Sequence, residues 1–273
     1  MVLPDVQNSE DTRGVRLDKV GICDYQIPFA LHNKDGSIQP TVGTASLYTS
    51  LDKLLKGANM SRYSQILEEV IQEGAVSTDV IVQTLEVLKE RLESSEAYVK
   101  IKFPFFMIKE APRSGKKSHS HYICTFEGRH TKKRGLELFM EVRVNYTSLC
   151  PCSKEMSLRD DTVGLGAHNQ RSECKVTVSL KEGEKVWLED LIKIVEGQAS
   201  CPIWNSLKRP DEKYVTETAY KNPKFVEDVS RDVALKLDEI EAINGYAIVV
   251  RHFESIHQSD AVAVKRGGDV YLP

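Results

Sequence analysis

Apolar and polar positions along the chain change period several times, and each change marks an element. Alternation at period two runs from Ile22 to Leu31 and from Ala45 to Leu51, with Lys34-Asp35-Gly36 as a turn between the two expected strands. The period then lengthens. Tyr63, Ile66, Leu67, Val70 and Ile71 share a helical face behind a Ser61 cap and ahead of Gly74, and Ile81, Leu85, Leu88 and Leu92 form a second stripe opened by Asp79. Strands return at Val99 to Phe106 and His121 to Phe126. A Lys/Arg-rich turn then leads into Leu136, Leu138, Met140, Val142 and Val144, the clearest period-two run in the chain. A strand from Cys174 to Leu180 is followed by helical stripes at Leu188 to Val195 and from Asn222-Pro223 to Ile240. Strands at Tyr246 to Phe253 and Ala261 to Val264 close the pattern.

Read coarsely, the order is ββααββ twice. Consecutive hairpins with paired helices predict an α+β antiparallel sheet. Such a sheet keeps open edges unless it closes, so self-association into a barrel is expected. No credible linker interrupts the pattern, which gives a single bimodular unit with approximate halves 1–130 and 131–273.

Composition narrows the class. The 273 residues include 37 Lys plus Arg and 40 Asp plus Glu, a formal charge of 37 − 40 = −3, with 41% hydrophobic and 28% charged residues. That is too apolar for a disordered chain. No run approaches the ~20 apolar residues of a spanning helix, and Met1 to Gly14 carries no apolar signal core, so no membrane association and a cytoplasmic location are expected. The near-balanced charge argues against a general nucleic-acid binder.

Six cysteines occur without an export signal, which makes disulfides improbable. Cys23, Cys124, Cys174 and Cys201 read as small buried hydrophobes. Cys150 and Cys152 differ, because only Pro151 separates them at the end of a strand. If the backbone stays extended, both side chains fall on one side and face one site; the alternative is two buried thiols flanking a turn. Three further polar segments have no packing duty in the pattern: Gly166 to Arg171, Arg209 to Lys213, and Phe253 to His257. With the cysteine pair they supply thiolate, imidazole and carboxylate, the donor set of a borderline metal, without the spacing of a structural zinc site. Glu254 and His257 share a face only if the chain turns helically, and a surface ion pair is the more frequent explanation of such a spacing. His168 reads either as a loop hydrogen-bonding residue or as a general acid. Glu227 suits a helix first turn with no function at all.

The strings TSLCPCSKEMS (147–157), GAHNQRS (166–172), EGQASCP (196–202), LKRPDEKYVTE (207–217), NPKFVEDVSRDV (222–233) and FESIH (253–257) closely resemble the type IB GTP cyclohydrolase family. The shorter DVQ (5–7), MSRY (60–63) and FPFF (103–106) extend the resemblance to nearly the whole chain. It implies the tunnelling fold, whose ββααββ units assemble edge to edge into barrels, and a homo-oligomer, expected to be a tetramer, with active sites between subunits. It also implies conversion of GTP to 7,8-dihydroneopterin triphosphate with release of formate, the entry to folate synthesis.

By position, the resemblance puts metal ligands on Cys150, Glu212, Glu254 and His257, the guanine anchor on Glu227, a catalytic histidine on His168, and a site thiol on Cys152. Arg62 and Arg171, two arginines within motif strings, suit forked contacts to the triphosphate. The implied cofactor is a divalent metal ion, zinc or else manganese or iron, with no organic cofactor. One departure is the stretch Leu158 to Leu165, longer than the link expected between the CPCSKEMS and GAHNQRS strings. Rival readings are an archaeal-type cyclohydrolase giving a cyclic phosphate, a metal-free nitrile reductase of the same fold, and a non-catalytic purine- or pterin-binding assembly. The three ligand positions Glu212, Glu254 and His257 speak against the nitrile reductase.

Overall fold

The computed structural model describes residues 7, 9–72, 74–159 and 164–268. Asp5 and Val6 of the DVQ string, and 160–163 within the Leu158–Leu165 stretch, lie outside the described residues. The chain forms two compact units, Met1–Pro104 with Thr125–Met140, and Phe105–Cys124 with Glu141–Pro273.

In the first unit, β1 (Leu17–His32) and β2 (Ile38–Leu51) pair antiparallel from His32 opposite Ile38. Gly36, at φ +83°, takes the left-handed turn position that a side chain resists. A register shift interrupts β1 between Ile22 and Tyr25, where Asp24 has φ +56°. Cys23 sits in that bulge and is exposed, which overturns its reading as a buried hydrophobe. Two helices follow, α1 (Met60–Gln72) and α2 (Thr78–Arg91), the latter capped by Ser77, whose hydroxyl accepts the Asp79 N–H at 3.2 Å. Tyr63, Ile66, Leu67 and Val70 of α1 and Ile81, Leu85 and Leu88 of α2 are all buried, the stripes that the 3.6 period marks.

Strands β3 (Ala97–Glu110), β4 (Lys117–Thr131) and β5 (Gly135–Leu149) contribute residues to both units. In the first unit the hydrogen-bonded order is β1-β2-β3-β4-β5. Gly128 of β4 lets α2 approach closely: a Cβ there would lie 2.4 Å from Ile81 and 2.8 Å from Leu85.

The second unit departs from the expected repeat. After β5 come α3 (Pro151–Arg159), β6 (Asn169–Leu180), α4 (Leu188–Gln198), the two-residue β7 (Cys201–Pro202), α5 (Arg209–Lys221), α6 (Val226–Asp238), β8 (Ile243–His252) and β9 (Ala261–Gly268). Its strand order is β3-β4-β5-β6-β8-β9, with β7 beside β5. The pattern marks α4 and α6 but misses α3, β7 and α5. The helix expected from Asn222-Pro223 starts at Val226, because the Asp228 carboxylate accepts the Phe225 N–H at 2.9 Å and fixes the cap there. Leu191, Ile192 and Val195 of α4 and Val229, Val233 and Leu237 of α6 are buried, as are Cys174, Val176 and Val178 of β6. Cys124 and Cys201 are buried too, as their sequence surroundings imply. Among the described residues no helix is long and apolar enough to cross a membrane.

Candidate active site at the end of the fifth strand

Cys150 lies between the end of β5 and the start of α3, and its backbone is fixed from several directions. Its N–H donates to the His168 carbonyl at 3.1 Å, and its own carbonyl accepts the Lys154 N–H at 3.2 Å. The Ser153 N–H reaches the Cys150 sulfur at 3.5 Å. One residue earlier, the Leu149 N–H donates to Ser200 Oγ at 3.2 Å while the Leu149 carbonyl accepts the Lys224 N–H at 3.1 Å. Ser200 is buried, so this anchor is sheltered from water.

Pro151 opens α3, where its fixed φ suits a first helical position and its missing N–H costs nothing. The extended backbone expected through Cys150-Pro151-Cys152 is therefore replaced by a helix start. Cys152 falls in the first turn and is exposed, and Cys150 is half-buried. The two thiols do not form a strand-like pair. Cys152 lines a cleft of about 460 Å³ shared with Lys154, Met156, Pro223 and Phe225.

His168 is half-buried beside Cys150. Its N–H donates to Ser153 Oγ at 3.3 Å, and its Nδ1 lies 3.1 Å from Gln170 Oε1 and 3.4 Å from Ser255 Oγ. The contact to Ser255 carries the segment after β8 to the same place, and the Phe253 N–H donates to the Arg171 carbonyl at 3.2 Å. Glu254 in that segment is half-buried and His257 exposed. The segment is irregular, so Glu254 and His257 do not share a helical face. Arg171 is exposed on β6 and has no side-chain partner among the described residues.

Glu227 is exposed in the first turn of α6, two residues after Phe225 of the cleft. Glu212 is placed by its neighbour. Asp211 is fully buried and accepts the N–H groups of Arg113, Ser114 and Lys208 at 2.8, 2.8 and 2.9 Å and the Ser114 hydroxyl at 2.6 Å. Burial by itself would raise the Asp211 carboxyl, but these donors hold it below the usual carboxylate range. The opposite end of α5 meets α3, where Lys154 Nζ donates to the Tyr220 carbonyl at 2.6 Å. Glu212 thus lies eight residues, or about 12 Å of helix rise, from the end that touches α3. Arg62 belongs to α1 of the first unit and donates to the Arg91 carbonyl at 3.4 Å.

The structure accordingly brings Cys150, His168 and the Glu254-Ser255 segment together. The donor chemistry, thiolate with imidazole and carboxylates, fits a borderline divalent metal. No three His, Cys, Asp or Glu side chains gather in one place among the described residues, however, so the four ligand positions do not converge within this chain.

Several residues around the site lie within the motif strings but received no role from them. Ser153, Ser255 and above all Gln170 contact His168, and Ser148 and Ser172 stand behind Gln170. The available signal was polar residues at inward positions of a strand: Gln170 and Ser172 are in phase with Cys174, Val176 and Val178, all buried.

Residues 3–263 match the family described as type I GTP cyclohydrolase folE2. Among curated relatives, the GTP cyclohydrolase FolE2 of Azoarcus sp. (strain BH72) is 44% identical over 262 residues, covering 96% of this chain and 94% of the relative. That of Geobacter sulfurreducens is 41% identical over 261 residues, covering 96% of each. Among solved structures, uricase from Arthrobacter globiformis superposes with a TM-score of 0.55 at 8% identity, over 94% of this chain and 96% of that one. A Bacillus sp. TB-90 urate oxidase gives 0.53 at 8% identity, over 93% and 99%. These distant likenesses support the α+β antiparallel architecture.

Proposed function

The chain belongs to the type I GTP cyclohydrolase FolE2 family, and from that premise we propose how its residues serve the reaction. The protein converts GTP to 7,8-dihydroneopterin triphosphate, releasing C8 as formate, in folate biosynthesis. The observation that carries the assignment of roles is the juxtaposition of Cys150 and His168 at the start of α3.

Cys150, Glu212, Glu254 and His257 would hold the divalent metal, zinc or else manganese or iron. When bound, such an ion supplies a water whose pKa is lowered from about 15.7 toward about 7, a nucleophile strong enough for C8 of the guanine. His168 gives a proton to the ring nitrogen as the bond to C8 breaks and takes one back from water. Glu227 accepts the guanine N1–H and the exocyclic amine in a two-point contact that adenine cannot reproduce, a discrimination of about 1–3 kcal/mol. Cys152, in the first turn of α3, is the proposed thiol beside the site. Arg62 and Arg171 are the residues proposed to meet the triphosphate. Because the four ligand positions do not converge within one chain, the proposal includes a homo-oligomer, a tetramer closing the sheets into a barrel, with sites completed at its subunit boundaries. The expected location is the cytoplasm, and the enzyme needs no organic cofactor, nucleic acid or membrane.

His168→Ala should keep its metal and lose activity. For the reaction itself, the purified protein is stripped with chelator, given back zinc, manganese or iron, and incubated with GTP. Pterin fluorescence should appear with at least one metal; none with any of them sinks the proposal.

A further inference from the structure

A line of hydrogen bonds runs from the buried sheet to His168. Ser172 Oγ and Ser148 Oγ lie 2.8 Å apart, Gln170 Nε2 donates to Ser148 Oγ at 2.8 Å, and Gln170 Oε1 lies 3.1 Å from His168 Nδ1. Ser148 and Ser172 are 0% exposed and Gln170 is 8% exposed, so the three polar side chains inside the sheet are all sheltered from water. A buried amide left without partners is costly, and here both of its ends are used. With the amide nitrogen on Ser148, the amide oxygen faces the imidazole. The opposite nitrogen, Nε2, has no hydrogen-bond partner among the described residues.

We propose that Gln170 is the positioning residue for His168: it accepts the Nδ1–H, fixes the ring, and leaves Nε2 as the nitrogen that works. The inference rests on the reading of His168 as a site residue and deepens it. With its proton held at Nδ1 by the Gln170 oxygen, the imidazole keeps its lone pair on Nε2. An amide turned the other way would set its N–H against the Nδ1–H. Ser148 and Ser172 act one step further back. Their paired hydroxyls hold the amide nitrogen, which decides the way Gln170 faces.

The proposal reverses the ordinary expectation for a buried position. Gln170→Met keeps volume and removes both hydrogen bonds. Gln170→Glu buries a carboxylate but still accepts Nδ1–H, and the Ser148 hydroxyl can turn to donate to it. In the metal-loaded enzyme, Gln170→Met should lower kcat about 10- to 100-fold with KM little changed, whereas Gln170→Glu should recover most of that loss. If Gln170 only fills space, Met is tolerated and Glu is the damaging variant, and that pattern would overturn the proposal. Nitrogen NMR of the zinc-loaded, ¹⁵N-histidine-labelled wild type, with His168→Gln to assign the signal, reads the tautomer without relying on either variant folding. A proton on Nδ1 supports the proposal; a proton on Nε2 with Nδ1 bare overturns it. If His168→Ala kept full activity, the reading of His168 would fall and this inference with it. Loss of activity in His168→Ala together with an active Gln170→Met and an Nε2–H tautomer would sink the positioning role alone.

Discussion

The helices α1 and α2 of the first unit and α3 and α5 of the second are built by different rules. α1 and α2 bury eight large apolar side chains between them, Tyr63, Ile66, Leu67, Val70, Ile71, Ile81, Leu85 and Leu88, each at most 9% exposed. α3 buries none and α5 buries only Asp211 and Ala219. Polar contacts fix their ends: Pro151 and the Cys150 carbonyl at the start of α3, the four donors on Asp211 at the start of α5, and Lys154 Nζ on the Tyr220 carbonyl between them, while Tyr214, Val215, Ala219 and Tyr220 of α5 join Leu149 and Cys201 in a small apolar cluster. Apolar burial stabilises the first pair at low chemical content, and hydrogen bonding places the second pair where reactive groups are needed. Proposed site residues Cys150, Cys152 and Glu212 all lie on or beside the second pair.

That contrast can be broken at either end. The largest expected effect is on turnover: Cys150→Ala should abolish pterin formation while leaving the melting temperature close to wild type, because the side chain is only half-buried. Cys124→Ala, at a buried thiol away from the proposed roles, should leave turnover largely intact in the folded protein. Equal activity in the two variants would refute the assignment of Cys150. Leu85→Ala in α2 should do the reverse, costing about 2–5 kcal/mol in denaturant unfolding while the folded fraction keeps its specific activity. Asp211→Ala should weaken both properties, since it strips the cap of α5 and frees the Arg113-Ser114 turn, and it should lower the melting temperature together with kcat. A loss confined to one of the two would show that the capping network is not what positions Glu212.

A smaller effect concerns pH. His252 is buried, its Nε2 lies 3.1 Å from the Tyr146 hydroxyl, and burial pushes its imidazole down to about 4 from an ordinary 6.5. Between those values the unfolded chain binds the proton and the native protein does not, so stability should fall as pH drops from about 6.5 to about 4. Melting curves across that window should show the fall, and His252→Phe should flatten it. The smallest effect is expected at Met156 on α3, which is 64% exposed; Met156→Lys should change stability by no more than about 0.5 kcal/mol. A larger loss would mean that α3 is held by apolar contact after all.

The same contrast explains what could be read from the sequence. Periodicity reports burial, so it marks the strands Ala45 to Leu51 and Leu136 to Val144 and the helices whose stripes are buried. It is silent on α3, which has no stripe, and on α5, where the buried residue in the first turn is an aspartate. Pro151 and Pro210, near the starts of those helices, were cues that the polar surroundings masked. Cys23 misled because the bulge at Asp24 turns it outward, and no period-two pattern encodes a bulge. For the site, the motif strings pointed to Cys150 and His168, which the fold brings together through one backbone hydrogen bond. They did not point to Gln170, whose role depends on which strand face it occupies.

The central claim is that Cys150 anchors a metal-dependent cleavage of GTP. The most direct measurement is turnover alongside bound metal per chain, in wild type and in Cys150→Ala at matched fold and oligomer size. The account predicts that the variant loses bound metal and pterin formation together. A variant that still binds metal stoichiometrically and turns over GTP at the wild-type rate would contradict it.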